Sequence, residues 1–265
     1  MGDLRRLAMA ATALLAASTA AAAADAPICP DRPGKGTGTC TVPAGHWQVE
    51  TGLVDRAHDS SGGVHSDLTT FGSSLIKYGL SDRADIELGI TPLETFRIHG
   101  GGTYEKHSSF GDTLVRAKYR LTSDNAPFAV ALDPLVKLPT ANRQLGNRKI
   151  EAGLTVPMSA PLAGPVSLAV TPELDWRSDL DGNGHHAAMS GVVGLGLAAS
   201  TRLSLSTELW AARDWDPLGT IKQYSADGSI AYLVSDSVEV DGGANFGLNR
   251  MTPEVEVYAG VSTRF

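Results

Sequence analysis

From Trp47 onward the chain is a succession of segments, each about ten residues long, in which apolar and polar side chains alternate with a period of two. Successive side chains of a strand point to opposite faces, so this period prescribes strands with one apolar and one polar face. In the first segment Trp47, Val49, Thr51 and Leu53 share a face while Gln48 and Glu50 lie on the other. The pattern returns over residues 68–80, 86–90, 114–121, 128–138, 150–158, 166–176, 189–197, 203–211, 224–232, 238–246 and 255–265. That is about twelve strands, an even number such as single-chain bacterial barrels have.

A soluble sandwich also alternates, so the connections must discriminate. Residues 81–83, 122–126, 159–164, 199–201 and 235–237 are short and rich in turn formers, and they interleave with longer connections at 56–63, 91–110, 139–147, 178–186, 214–220 and 248–252. Short turns at one end and long loops at the other describe a transmembrane antiparallel up-and-down β-barrel, all-β, over residues 45–265. Pro134, Pro157 and Pro172 fall inside strands, where a missing N–H removes a ladder bond, and bulges or strand ends are expected there. Phe265, preceded at alternate positions by Thr263, Val261, Ala259 and Val257, has the form of the C-terminal signal read by the outer-membrane assembly machinery.

The preceding residues suit export. Arg5 and Arg6 lead into the apolar run 7–17, and Ala20 to Ala24 offer A-x-A cleavage sites, so residues 1–24 read as a signal peptide for the general secretion route. Its removal takes away Asp3, Arg5 and Arg6 and moves the formal charge from -7 to -8. An acidic chain of this kind makes neither nucleic acid nor an anionic membrane surface the obvious partner. No later stretch approaches the ~18 apolar residues of a membrane-spanning helix, so entry into a membrane must use strands. Residues 25–44 read as a periplasmic N-terminal segment containing Cys29 and Cys40, placed to form a disulfide in an oxidising compartment, with two free thiols as the alternative. Ala26, Pro27 and Ile28 before Cys29 do not make a lipobox.

In a barrel the apolar face meets lipid and the polar face lines the lumen. The lumen-facing candidates are Glu50, Lys77, Asp85, Glu87, Asp112, Arg116, Lys118, Arg120, Lys137, Glu151, Glu173, Asp241 and Arg264. Arg116, Lys118 and Arg120 form a positive stripe that either attracts anions or pairs with acids on an adjacent strand. Trp47, Tyr78, Tyr119 and Trp176 belong to the lipid face as interfacial aromatics. An outer-membrane hydrolase is the enzymatic alternative, yet His65–Ser66 and His107–Ser108 are adjacent pairs whose side chains diverge on a strand. His185 and His186 near Asp179, Asp181 and Asn183 read as a solvated turn, without the spacing of a calcium loop, and no metal or cofactor is expected. Gly100 to Gly102 lack the strand-to-helix setting of a phosphate cradle and read as flexible links in the longest loop.

Asp31, Arg32 and Pro33, the run VPAGHWQVE over 42–50, KYGLSDR over 77–83, Gly111 and Asp112, Lys118 to Arg120, KLPT over 137–140 and FGLNR over 246–250 together resemble the outer-membrane transporter family named after the meta-cleavage (MetA) pathway of phenol degradation. The resemblance implies a barrel passing apolar or aromatic compounds. The expected function is thus a channel or transporter for small solutes in the cell outer membrane, with outer-membrane lipids and the assembly machinery as partners. A sealed structural or adhesive barrel, working through its 91–110 loop, is the alternative.

Overall fold

The computed structural model describes residues 26–123 and 125–265; the leader expected over 1–24 lies outside the described residues. The strands, in chain order, are β1 Trp47–Ser61, β2 Val64–Ser81, β3 Ala84–Ile90, β4 Leu93–Gly100, β5 Thr103–Ser109, β6 Thr113–Arg120, β7 Ala129–Leu138, β8 Glu151–Thr155, β9 Met158–Pro161, β10 Val166–Ser178, β11 His185–Ala198, β12 Leu203–Asp214, β13 Ile221–Ser235, β14 Val238–Gly247 and β15 Val255–Arg264. All pair antiparallel with sequence neighbours around the wall, and β1 pairs with both β2 and β15, which closes the barrel. Closure leaves the wall itself no sheet edge, the condition for a β-structure to sit in hydrocarbon without unsatisfied backbone groups, and the one free edge among the described residues is that of β5, which pairs with β4 alone.

β8 and β9 are two halves of one wall strand divided at Val156 and Pro157, and β4–β5 is a hairpin mounted on the outer half of β2. Setting the hairpin aside and joining the halves leaves twelve wall strands, as the alternation predicts. Burial is inverted relative to a soluble protein. Leu53, Val193 and Leu209 are more than half exposed, whereas Lys77, Lys118, Glu50 and Glu87 are among the most buried side chains. Exposed aromatics form two belts, one with Trp47, Tyr119, Phe128 and Tyr232 toward the short turns, the other with Phe71, Trp176, Tyr224 and Phe246 toward the long loops.

The connections differ from expectation in two places. The expected 56–63 loop is strand almost throughout, since β1 and β2 run on to a turn at Gly62 and Gly63. The expected flexible loop 91–110 is the β4–β5 hairpin, whose turn uses Gly100, Gly101 and Gly102 at positive φ. A Cβ on Gly100 would also collide with the Gly63 carbonyl, so the glycines permit a close crossing rather than supplying looseness.

The prolines act together. Pairing of β6 with β7 lapses between Arg116↔Leu135 and Tyr119↔Leu132, beside Pro134. Pairing of β10 with β8 and β9 lapses between Glu173↔Thr155 and Val170↔Met158, beside Pro157 and Pro172. Three missing donors on adjacent strands thus thin one seam of the wall, where Ala131 N→Pro157 O (3.0 Å) and Val156 N→Pro172 O (2.9 Å) remain.

Candidate functional site: a charged lumen occupied by the N-terminal segment

The N-terminal segment, read from sequence as a separate periplasmic piece, packs inside the barrel. It enters beside the short turns, where the Ile28 amide donates to Asp236 O at 2.8 Å and Arg264 donates to Ala26 O at 2.8 Å. Cys29 and Cys40 are joined by a disulfide that folds residues 29–40 into a loop across the lumen. It leaves over Gly79, where the Val42 and Pro43 carbonyls lie so close that any Cβ would collide with them.

Wall side chains hold this loop from all sides. The Asp31 and Arg32 amides donate to Glu50 Oε2 at 2.9 and 3.2 Å, and the Arg32 guanidinium forks onto Asp241 at 3.1 and 2.7 Å. Lys35 reaches Glu256 at 2.9 Å, while its amide and that of Gly36 donate to Glu208 Oε2 at 2.9 and 3.4 Å. Thr39 meets Ser159 at 3.0 Å, and the Val42 amide donates to the buried Asp85 at 2.8 Å.

Asp31 is the hub. Its carboxylate lies 2.5 Å from Lys118 Nζ, 2.8 Å from Lys77 Nζ and 3.5 Å from Arg116. The same cations reach Glu50 (Lys77, 2.6 Å), Glu87 (Arg116, 3.1 Å; Lys118, 3.5 Å) and Asp133 (Arg116). Three cations therefore face four carboxylates in a nearly dry cluster, which is how charges at this depth are tolerated. Of the two readings of the positive stripe, pairing with acids describes Arg116 and Lys118, which are neutralised by neighbours on β3 and β7 and by the N-terminal loop. Burial acts to raise the Asp31 pKa, but Lys118, then Lys77 and Arg116, outweigh it and hold the carboxyl well below the usual carboxylate range.

The other candidates also face inward. Lys137 ties Asp112 (2.9 Å) to Glu151 (3.1 Å) near the long-loop end, and Glu151 accepts the Ser178 amide. Glu173 shares the lumen face of β10, Arg264 is buried at the short-turn end, and Arg120 donates at 3.5 Å to the Asp82 carbonyl on that rim. Phe265 N and O pair with Trp47, so the last residue belongs to the closing seam. Trp47 packs on Tyr78 with ring centroids 4.8 Å apart on the lipid face. Sequence reasoning missed Asp31, Arg32, Lys35, Glu208, Asp133 and Glu256 as site residues. Period two marks the wall members as inward, but nothing local says that the loop will meet them.

His185 and His186 part company. His185 stacks on Trp176, centroids 3.7 Å apart, whereas His186 sits between Asp179 (2.8 Å) and Asp214, joining loop 179–184 to the end of β12. Asp181 closes its own turn by accepting the Asn183 amide at 2.8 Å. Asp216, in the following loop, accepts the Leu180 and Leu218 amides.

Open space flanks the loop. Above it, a cavity of about 290 Å³ is lined by Asp31, Arg32 and residues 34–37 together with Leu75, Ile90, Leu114 and Arg116. Below it, one of about 520 Å³ is lined by Pro33 and the small residues Ser167, Gly196, Ser204, Ser206, Ser229 and Ala231.

Residues 30–265 match the model of the family described as "Putative MetA-pathway of phenol degradation". The chain belongs to this family. Among solved structures, the fold is similar to that of the COG4313 outer membrane channel from Pseudomonas putida F1, with TM-score 0.67 and 14% identity over 88% of this chain and 99% of that one. Weaker similarities include the NanC porin (TM-score 0.48, 11% identity, 82% and 98% covered) and the toluene transporter TbuX of Ralstonia pickettii (TM-score 0.45, 9% identity, 84% and 90% covered). No curated protein matches the chain.

Proposed function

We propose that this member of the phenol-degradation family is an outer-membrane channel or transporter for small solutes, with apolar and aromatic compounds as the solute class. The carrying observation is that residues 31–37 stand between two lumen cavities and are held mainly by ion pairs and hydrogen bonds. Polar contacts of this kind exchange with water at small net cost, so such a plug can shift where an apolar core could not. Eight-stranded barrels are filled by side chains and those of roughly sixteen strands hold aqueous channels; twelve suits a narrow, gated path. The solute class draws support from the family description and from the proline seam, which abuts the plug: Thr171, beside Pro172, donates to the Thr37 carbonyl at 3.4 Å. An apolar solute stopped above the plug would have a weakened wall beside it, leading to lipid.

The test is paired: planar-bilayer conductance of refolded protein with and without benzoate, and uptake of toluene into proteoliposomes. The expected result is small stepwise currents altered by benzoate, together with protein-dependent toluene entry. A correctly folded barrel that is silent in both assays would overturn the reading.

A further inference from the structure

We propose that the outward face of the β2–β4–β5 flap binds the phosphate groups of an anionic glycolipid in the outer leaflet. The registers stack its side chains in rows across neighbouring strands. Val54, Phe71 and Leu93 form an exposed apolar row that marks the edge of the lipid-facing band. Two positions higher on the same face comes Arg56, then a row of His58, Asp67, Arg97 and Lys106, then His65, His99 and Tyr104. Rows of one face are separated by two residues, roughly 7 Å, so the cations begin where hydrocarbon gives way to headgroups.

The two faces of the flap differ in charge. Outward are the permanent cations Arg56, Arg97 and Lys106 with the single carboxylate Asp67; Asp59, Glu94 and Glu105 alternate to the inner face. Asp67 Oδ1 is taken by Arg56 at 2.9 Å and His58 at 2.8 Å. Arg97 and Lys106 stand directly opposite each other, a cross-strand like-charge pair that destabilises a sheet unless an anion lies between. Arg97 Nε is buried without a hydrogen-bond partner, as are the His99 ring nitrogen Nδ1 and, in register with Arg97 on its other side, Asp67 Oδ2, so the Arg97 guanidinium is already partly desolvated at this spot. The arrangement repeats on β12 and β13, where Arg213 pairs in register with Lys222 on the outward face. In a chain of net charge -7, two such pairs at headgroup height fit a phosphorylated surface by charge complementarity.

The inference rests on the barrel's place in the outer membrane and not on what it conducts. Native mass spectrometry of the full refolded protein in neutral detergent, titrated with bisphosphorylated lipid A and with its dephosphorylated form, tests it. Wild type should prefer the phosphorylated lipid by about tenfold or more, and Arg97→Gln with Lys106→Gln should erase that preference while leaving the dephosphorylated lipid unaffected. Lys106→Gln alone, an exposed change that does not threaten folding, should lose part of it. Equal retention of both lipids by wild type, or an unchanged preference in the double variant, would overturn the proposal. Displacement of the lipid by modest inorganic phosphate would overturn the lipid assignment and leave a free-phosphate site.

Discussion

Lys118 and Asp31 meet at 2.5 Å although 87 residues separate them, and this contact joins the wall to the loop that fills the lumen. Asp31 is shared by Lys77, Lys118 and Arg116, as Glu87 is on the wall side, so Asp31→Asn leaves three buried cations to the wall acids alone. Removing one member of a buried ionic cluster costs on the order of 3–5 kcal/mol. That cost falls on the docked state of the loop, because the barrel ladder is untouched. Conductance should rise and hydrogen exchange over residues 30–38 should quicken, with the strands still protected; unchanged exchange would show that the loop is held elsewhere.

The same geometry sets a pH response. Because the docked Asp31 has a depressed pKa, its contribution is fully present above the ordinary carboxylate pKa, near 4, and is lost only as pH falls through the lower, docked value. Conductance recorded between pH 7 and pH 5 should therefore show no opening attributable to the plug. Opening within that window would mean that another group governs docking.

The disulfide should matter to the loop and little to the barrel. Cys29 and Cys40 are 11 residues apart, and closing a loop of that size removes about 3 kcal/mol of chain entropy from the undocked state. Cys29→Ser with Cys40→Ser should raise the frequency of open events in single-channel records while the heat-modified gel shift of the barrel stays in place. Equal open probability would leave the ionic contacts as sufficient restraint.

Gly79 is the crossing point of loop and wall. Its amide donates to the His46 carbonyl at 3.0 Å and its carbonyl accepts from Gly45, with the Val42 and Pro43 carbonyls packed against its Cα. Gly79→Ala forces backbone rather than a flexible side chain to move, and overpacking of this kind typically costs about 1–3 kcal/mol. Refolding yield should drop and the Val42–Asp85 hydrogen bond should be lost, seen as faster exchange at the Val42 amide.

How much was legible follows from what each signal depends on. The wall strands were readable because lipid and lumen impose opposite polarity on alternate residues; Trp47 through Glu50 already display it. Hairpin β4–β5 was not, because above the hydrocarbon both faces are solvated and Thr103–Ser109 carries almost no apolar alternation. The lumen orientation of Glu50, Lys77 and Lys118 was readable by parity, but their meeting with Asp31 depends on strand register and barrel curvature. Asp31 and Arg32 stood among the residues carrying the family resemblance, yet nothing near them announces Lys77, Lys118 or Asp241 as partners.

The proline seam gives the sharpest test of route. Pro134, Pro157 and Pro172 each lack the donor that the ladder requires, and the lapses in pairing fall on neighbouring strands beside the plug. Replacing all three with Ala supplies three N–H groups, each worth about 1 kcal/mol if its bond forms, against a loss of up to about 1 kcal/mol per site because the unfolded chain gains freedom. Global stability should therefore change little, whereas the local ladder between β6 and β10 should tighten. If apolar solutes leave sideways, toluene uptake should fall severalfold in the triple variant while ion conductance holds. A parallel fall in both would place the two on one axial path, and no change in either would remove the seam from transport.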